Sequence, residues 1–233
     1  MKNIKELLGL IEFEFDLVCD YVWKSPNFIK HETELEKRKL KSYFPDDDRL
    51  ASMRWSLESL KLEHIYPKAI SMGNLFYVSS LFETYMLRLA KELENNVGVS
   101  FSEQKGQGIS KILKYLKKCN LEYTNSEYWS QVESMLKIRN CLAHANGNLS
   151  FARNPDELTK IVNNNLYLNS VQKKALKGRL TKGYNDDVKI NSTDLGNVLT
   201  VKNECAYLAL LHYKDFLVDI CSMYLNQQES NEA

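Results

Sequence analysis

Glycine and proline are scarce in this chain, nine and four among 233 residues, so few tight turns can be built and long helices are what remains. Cysteine is also sparse. The five residues, Cys19, Cys119, Cys141, Cys205 and Cys221, are odd in number and show no C-x-x-C spacing. They read as reduced core thiols of a cytoplasmic protein rather than a disulfide frame or zinc site. Charge of one sign is missing: the net charge of +1 gives no global attraction to nucleic acid, although a local basic groove would suffice. No run approaches the roughly 18 apolar residues that span a bilayer. Glu6, Glu12, Glu14 and Asp16 interrupt any leader-like N-terminal stretch. There is no P-loop and no G-x-G-x-x-G. His31, His64 and His212 lack metal-ligand spacing, so no metal and no cofactor is expected, and His212 reads as a satisfied core residue.

What is present is helical periodicity. Ile4, Leu7, Leu8, Ile11, Phe15, Val18 and Val22 mark a first helix over 3–24, ahead of Pro26. A charge-dense stretch of mixed sign follows, with the character of a solvated helix face. Asp46-Asp47-Asp48 reads as a solvated break with an N-cap, and Leu50, Met53, Leu57, Leu60 and Ile65 mark a helix ending before Pro67. The longest helix then runs from Pro67 to about Val97. Ile70, Tyr77, Val78, Leu81, Tyr85, Leu89 and Leu93 form one stripe and Phe76, Leu87 and Ala90 a second, so burial on two sides is expected. Glu83 lies in the second stripe and, if buried, needs a partner.

A loop over 98–107 leads to a short amphipathic helix with Ile109, Ile112, Leu113 and Leu116 inward and Lys111, Lys114, Lys117 and Lys118 outward. Asn125-Ser126 reads as the cap of the next helix. A short helix begins at Asn154-Pro155, and another carries Lys173, Lys174, Lys177, Arg179 and Lys182. Asp186-Asp187 reads as a solvated turn. Val188–Ile190 and Val198–Val201 suit a small β-hairpin with a long connection, within an insertion near 186–202. The last helix, about 202–225, turns Cys205, Leu208, Ala209, Phe216, Ile220 and Met223 inward, and 226–233 reads as a disordered tail. The expected fold is an all-α helical bundle on two long core helices, with 1–66 as a helical extension packed on a 67–225 domain.

One stretch carries chemistry. From about Ser126 the ridge Tyr128, Val132, Leu136, Asn140, His144 is apolar for three turns and then becomes polar. The neighbouring row is Met135, Arg139, Leu142, and the helix stops at Asn146-Gly147. A face that changes character in this way must meet buried polar partners, a second subunit or a ligand. Guanidinium suits a bidentate phosphate contact and imidazole transfers protons near neutral pH. Arg139 and His144 are about 140° apart round an ideal helix of about 100° per residue, so they do not superpose on one face. A long Arg can still swing toward the helix end, and the His can rotate if the last turn loosens at Gly147, so that together they could bracket a phosphate. The structural alternative is an ordinary helix end, with a His favoured by the dipole and Asn-Gly as the stop.

The stretch Ile138-Arg139-Asn140-x-x-x-His144, ending in Asn-Gly, resembles the R-N-x-x-x-H signature of the HEPN superfamily, α-helical domains of prokaryotic toxin–antitoxin and antiviral systems. The Leu81–Met86 helix upstream resembles that family's other long core helix. The resemblance covers about 67–225. It implies a homodimer with facing motif helices and a metal-independent endoribonuclease that leaves 2′,3′-cyclic phosphate and 5′-hydroxyl ends. Arg139 would bind the scissile phosphate, His144 would act as general base or acid, Asn140 would support them, and Glu83 would pair with Arg139 or lie at the cleft edge. Some toxin members carry a Tyr two residues after the His, a target of nucleotidylation; here that residue is Asn146. Not every member cleaves RNA, and a nucleotide-binding or dimerisation module, or an antitoxin or immunity partner, is the alternative. RNA and a defence-system partner protein are the implied partners, and no membrane is. Lys111, Lys114, Lys118, Lys174 and Lys177 are candidate phosphate contacts flanking a groove, against the default of a solvated face. Tyr115 and Tyr184 are candidate base-stacking residues.

Overall fold

The computed structural model describes residues 2–180 and 187–232; Lys182, Tyr184 and Asp186 lie outside the described residues, as does the side chain of Arg179. Helices dominate. They are α1 (Lys2–Lys24), α2 (Pro26–Tyr43), α3 (Asp48–Leu60), α4 (Tyr66–Val97), α5 (Gly108–Lys118), α6 (Trp129–Ala145), α7 (Pro155–Asn163), α8 (Ser170–Leu180) and α9 (Asn203–Glu232). Two antiparallel strands, β1 (Val188–Thr193) and β2 (Gly196–Val201), pair from Val188↔Val201 to Thr193↔Gly196. The hairpin is tighter than the sequence suggested: only Asp194 and Leu195 connect the strands, because Asn191, Ser192 and Asn197 join the ladder despite their polarity. No helix among the described residues is long and apolar enough to cross a membrane.

The long packing partner of α4 is α9, which runs parallel to it, with Asn74 meeting Asn203 and Phe82 meeting Phe216, and α1 lies antiparallel against both. Phe82 of α4 stacks on Tyr213 of α9 at 4.3 Å and meets Phe216 edge-on. The α1 residues Ile4, Leu7, Ile11, Phe15, Val18 and Val22 are all buried in the same cluster. A polar knot fastens these three helices: Asn74 Nδ2 donates to Ser25 Oγ and to Asn203 Oδ1, each at 2.7 Å, and Asn203 Nδ2 donates to the Val22 carbonyl.

Several sequence expectations are corrected. No break precedes Pro67, because α3 runs into α4 through a π-helical turn, Lys61–Ile65, in which the Tyr66 N–H reaches back to the Lys61 carbonyl. Proline lacks an N–H and its ring crowds the preceding turn. A widened π turn just before it accommodates both problems without ending the helix. Leu50, Met53, Leu57, Leu60 and Ile65 are exposed, and it is Trp55, Glu58 and Leu62 that turn inward. On α4, Tyr77 and Leu87 are exposed and one broad face is buried, carried by Leu75, Phe82 and Met86.

Nor are residues 226–232 a disordered tail: they continue α9, with Gln227 donating to the Asn120 carbonyl. Helix α6 starts at Trp129, three residues after Ser126, which instead closes a 3₁₀ turn over Tyr123–Asn125 and accepts at its carbonyl from the Trp129 N–H. Asp187 is buried at the foot of β1, where its carbonyl accepts from the Lys202 N–H, and is no solvated turn. Asp47 does cap α3, accepting from the Leu50 N–H at 3.0 Å.

Candidate functional site

The ridge of α6 changes character along its length. Val132 and Leu136 are buried and Tyr128 is half-buried, whereas Asn140 and His144 are exposed. In the adjacent row Met135 and Leu142 are buried, with Arg139 half-buried between them.

The helix stops because two successive residues turn left-handed, Asn146 at φ 47° and Gly147 at φ 82°. Both their N–H groups point back to the Cys141 carbonyl, which satisfies an acceptor left over at the helix end. Strand β2 then fastens the stop. The Leu199 N–H donates to the Gly147 carbonyl at 2.7 Å, and Asn148 bridges to Val198. A Cβ on Gly147 would lie 2.2 Å from the Leu199 carbonyl oxygen, so only glycine fits. The hairpin thereby fixes the turn that carries His144.

Arg139 turns toward the core. Its Nη1 donates to Asn140 Oδ1 at 2.9 Å, while its Nε is buried without a partner. Among the described residues it forms no ion pair, and the expected pairing with Glu83 is not made. Glu83 is half-buried on α4, where water still reaches its carboxylate, so it does not require a protein partner. Arg139 and Glu83 both act on the buried hydroxyl of Tyr213, which lies 3.3 Å from Ser79 Oγ. Burial is the main force raising the Tyr213 pKa; Ser79 and Arg139 oppose it and Glu83 adds to it.

Two hollows flank His144. One, of about 450 Å³, lies between α6 and the segment leading into α7, and Asn140, His144, Phe151, Arg153 and Asn154 border it. Lys137 at its edge donates to Glu133 at 2.9 Å and Glu157 at 2.7 Å. Burial lowers the Lys137 pKa, but these two carboxylates outweigh it and hold the ammonium above its ordinary value. The second hollow, about 780 Å³ and more open, runs from Lys68 past His144 and Asn146 to Asp194 and Leu195 at the hairpin tip.

The structure therefore brings Arg139, Asn140 and His144 to one helix end, and Glu83 near Arg139 without contact. The candidate lysines are elsewhere. Helix α5 packs on the far ends of α4 and α9, where Tyr115 donates to the Val99 carbonyl and Lys111 covers the Phe101 ring. Lys68, beside His144, is at the opposite end of α4, roughly 40 Å away at 1.5 Å per residue. Lys174 and Lys177 are exposed on α8 and border neither hollow. Tyr115 is fully buried, which removes it as a stacking surface. Sequence reasoning passed over Phe151, Arg153 and Lys68. The available signal was an aromatic and a cation in Phe151-Ala152-Arg153-Asn154, just after the helix stop.

Among the described residues, no group of three His, Cys, Asp or Glu side chains is placed to hold a metal ion. In comparisons with known proteins, no family model, no curated protein and no solved structure matches the chain.

Proposed function

We propose that this protein is a metal-independent endoribonuclease that acts as a homodimer, in a toxin–antitoxin or antiviral defence module. The observation that carries the reading is the end of α6, where an otherwise apolar ridge terminates in exposed Asn140 and His144 beside a half-buried Arg139 with no counter-ion among the described residues. A partly desolvated guanidinium without a carboxylate is a site that an anion would complete. The resemblance of Arg139-Asn140-x-x-x-His144 to the HEPN signature supports the same assignment and supplies the defence context.

The chemistry is transphosphorylation. His144 accepts the proton of a ribose 2′-hydroxyl, whose oxygen attacks the adjacent phosphorus. The bond from phosphorus to the 5′ oxygen breaks, and that oxygen takes a proton from an imidazolium. Arg139 offsets the charge gathering on the phosphoryl oxygens. One chain directs Arg139 inward and His144 outward, so one copy makes half a site. A second copy across the exposed strip of Asn140, Ala143 and His144 would supply the other acid or base. The products are a 2′,3′-cyclic phosphate and a 5′-hydroxyl.

A second reading, a non-catalytic nucleotide-binding or dimerisation module, draws on the Arg139–Asn140 bond, which already occupies part of the guanidinium. Cleavage of single-stranded RNA in EDTA separates the two. Wild type cuts, and His144→Ala and Arg139→Ala each lose about 10²-fold or more. Activity that requires a divalent ion, or that survives both substitutions, overturns the nuclease.

A further inference from the structure

Phe151 is 79% exposed, although it sits on a turn that is held from several sides. Its N–H donates to the Asn148 carbonyl at 3.2 Å, and Leu149 beside it is buried. Asn148 in turn accepts from the Ser150 N–H and donates to the Leu195 carbonyl. The ring is thus displayed in water by an anchored backbone rather than by a loose loop. It borders both hollows, as does His144. Two residues on, Arg153 is exposed and makes no ion pair among the described residues. The acid nearest to it in the same hollow, Glu157, is already bonded to Lys137, which holds its carboxyl below the ordinary value. In the second hollow the cation Lys68 shares the space with the Asp194 carboxylate, which makes the first hollow the better anion site.

We infer that the hollow between α6 and the Leu149–Asn154 segment is a nucleotide subsite for single-stranded RNA. Phe151 stacks the base next to the scissile phosphate, and Arg153 contacts a neighbouring backbone phosphate. The volume of about 450 Å³ lies within the range of small-ligand pockets, roughly 300–1,000 Å³. An aromatic face accepts any base, so this subsite gives affinity and register at His144 rather than strict sequence choice. Duplex RNA, whose bases are already stacked, would not use it.

The inference rests on the nuclease reading, and binding separates the two. The full chain carrying His144→Ala is titrated into a fluorescently labelled single-stranded RNA of mixed sequence, followed by anisotropy. Adding Phe151→Ala or Phe151→Leu should weaken binding roughly 5- to 150-fold, and Phe151→Trp should restore it. Arg153→Ala should flatten the dependence of log affinity on log salt by about 0.7. With the side chain so exposed, the melting midpoint should not move. Equal binding by Phe151→Ala, or by Phe151→Leu and Phe151→Trp alike, overturns the stacking role. A fall from dimer to monomer with Phe151→Ala overturns it too, because the ring would then be a subunit contact. If wild type cuts RNA but Phe151→Ala leaves affinity and KM unchanged, this inference fails alone. If wild type binds RNA through Phe151 without cutting it, the nuclease fails and the subsite stands.

Discussion

His212 couples a single side chain to acidity. It is 1% exposed, accepts no partner at Nε2 and bonds to the Tyr167 backbone through its other nitrogen. Burial lowers its pKa from 6.5 to about 4, with the Tyr167 bond opposing. The folded state therefore requires the neutral ring, while the unfolded chain takes up a proton at about pH 6.5. Its stabilising contribution is complete above pH 6.5 and lost as pH falls toward about 4, on the order of 3 kcal/mol in all. Urea titrations between pH 7 and 4 should show His212→Gln losing less stability than wild type over that window. Parallel slopes would show that His212 is not the group responsible. The inward position of His212 was legible from the periodicity of α9. That one nitrogen lacks a partner was not, because it depends on what the packed neighbours offer.

At the scale of elements, the end of α6 and the hairpin act together. Asn146-Gly147 announces a helix stop in sequence, and any αL-tolerant residue would serve a free stop. Only the fold reveals that the Leu199 carbonyl oxygen leaves no room for a Cβ at Gly147. Gly147→Ala combines left-handed strain with this overlap and should cost about 2–4 kcal/mol in denaturant unfolding. The same change should loosen the turn that carries His144 and slow the proposed RNA cleavage even where the protein remains folded. A variant with wild-type stability would show that β2 moves aside freely. Helix α4 shows the reverse limit: Pro67 reads as a helix start, yet the π turn at Lys61–Ile65 carries the helix through it. No local residue pattern distinguishes these outcomes, since proline is compatible with both.

For the molecule as a whole, α1 belongs to the main core. Phe15 is fully buried edge-on against Tyr85 at 5.7 Å, and the Asn74–Asn203–Ser25 knot joins α1 to α4 and α9. Burying its apolar side chains contributes about 1.5–3 kcal/mol each, against a net stability of about 5–15 kcal/mol for a typical domain. Phe15→Ala should lower stability by about 3–5 kcal/mol in one cooperative transition seen by both tryptophan fluorescence and circular dichroism. A separate early transition, with the remainder unmoved, would make α1 a detachable extension. The exposed apolar stripe of α3 also belongs to this scale. Its spacing is that of a buried face, but α2 covers the opposite side of the helix.

By itself the sequence determined the helical character of the chain, the inward face of α1 and α9, and the place where the α6 ridge turns polar. Each follows from periodicity and composition within a few turns of chain. Tertiary structure decided that Arg139 points inward without an ion pair among the described residues, that Phe151 and Arg153 border His144, and that the basic face of α5 stands at the other end of α4. These are relations between segments distant in sequence, set by which faces bury together, and no local spacing encodes them.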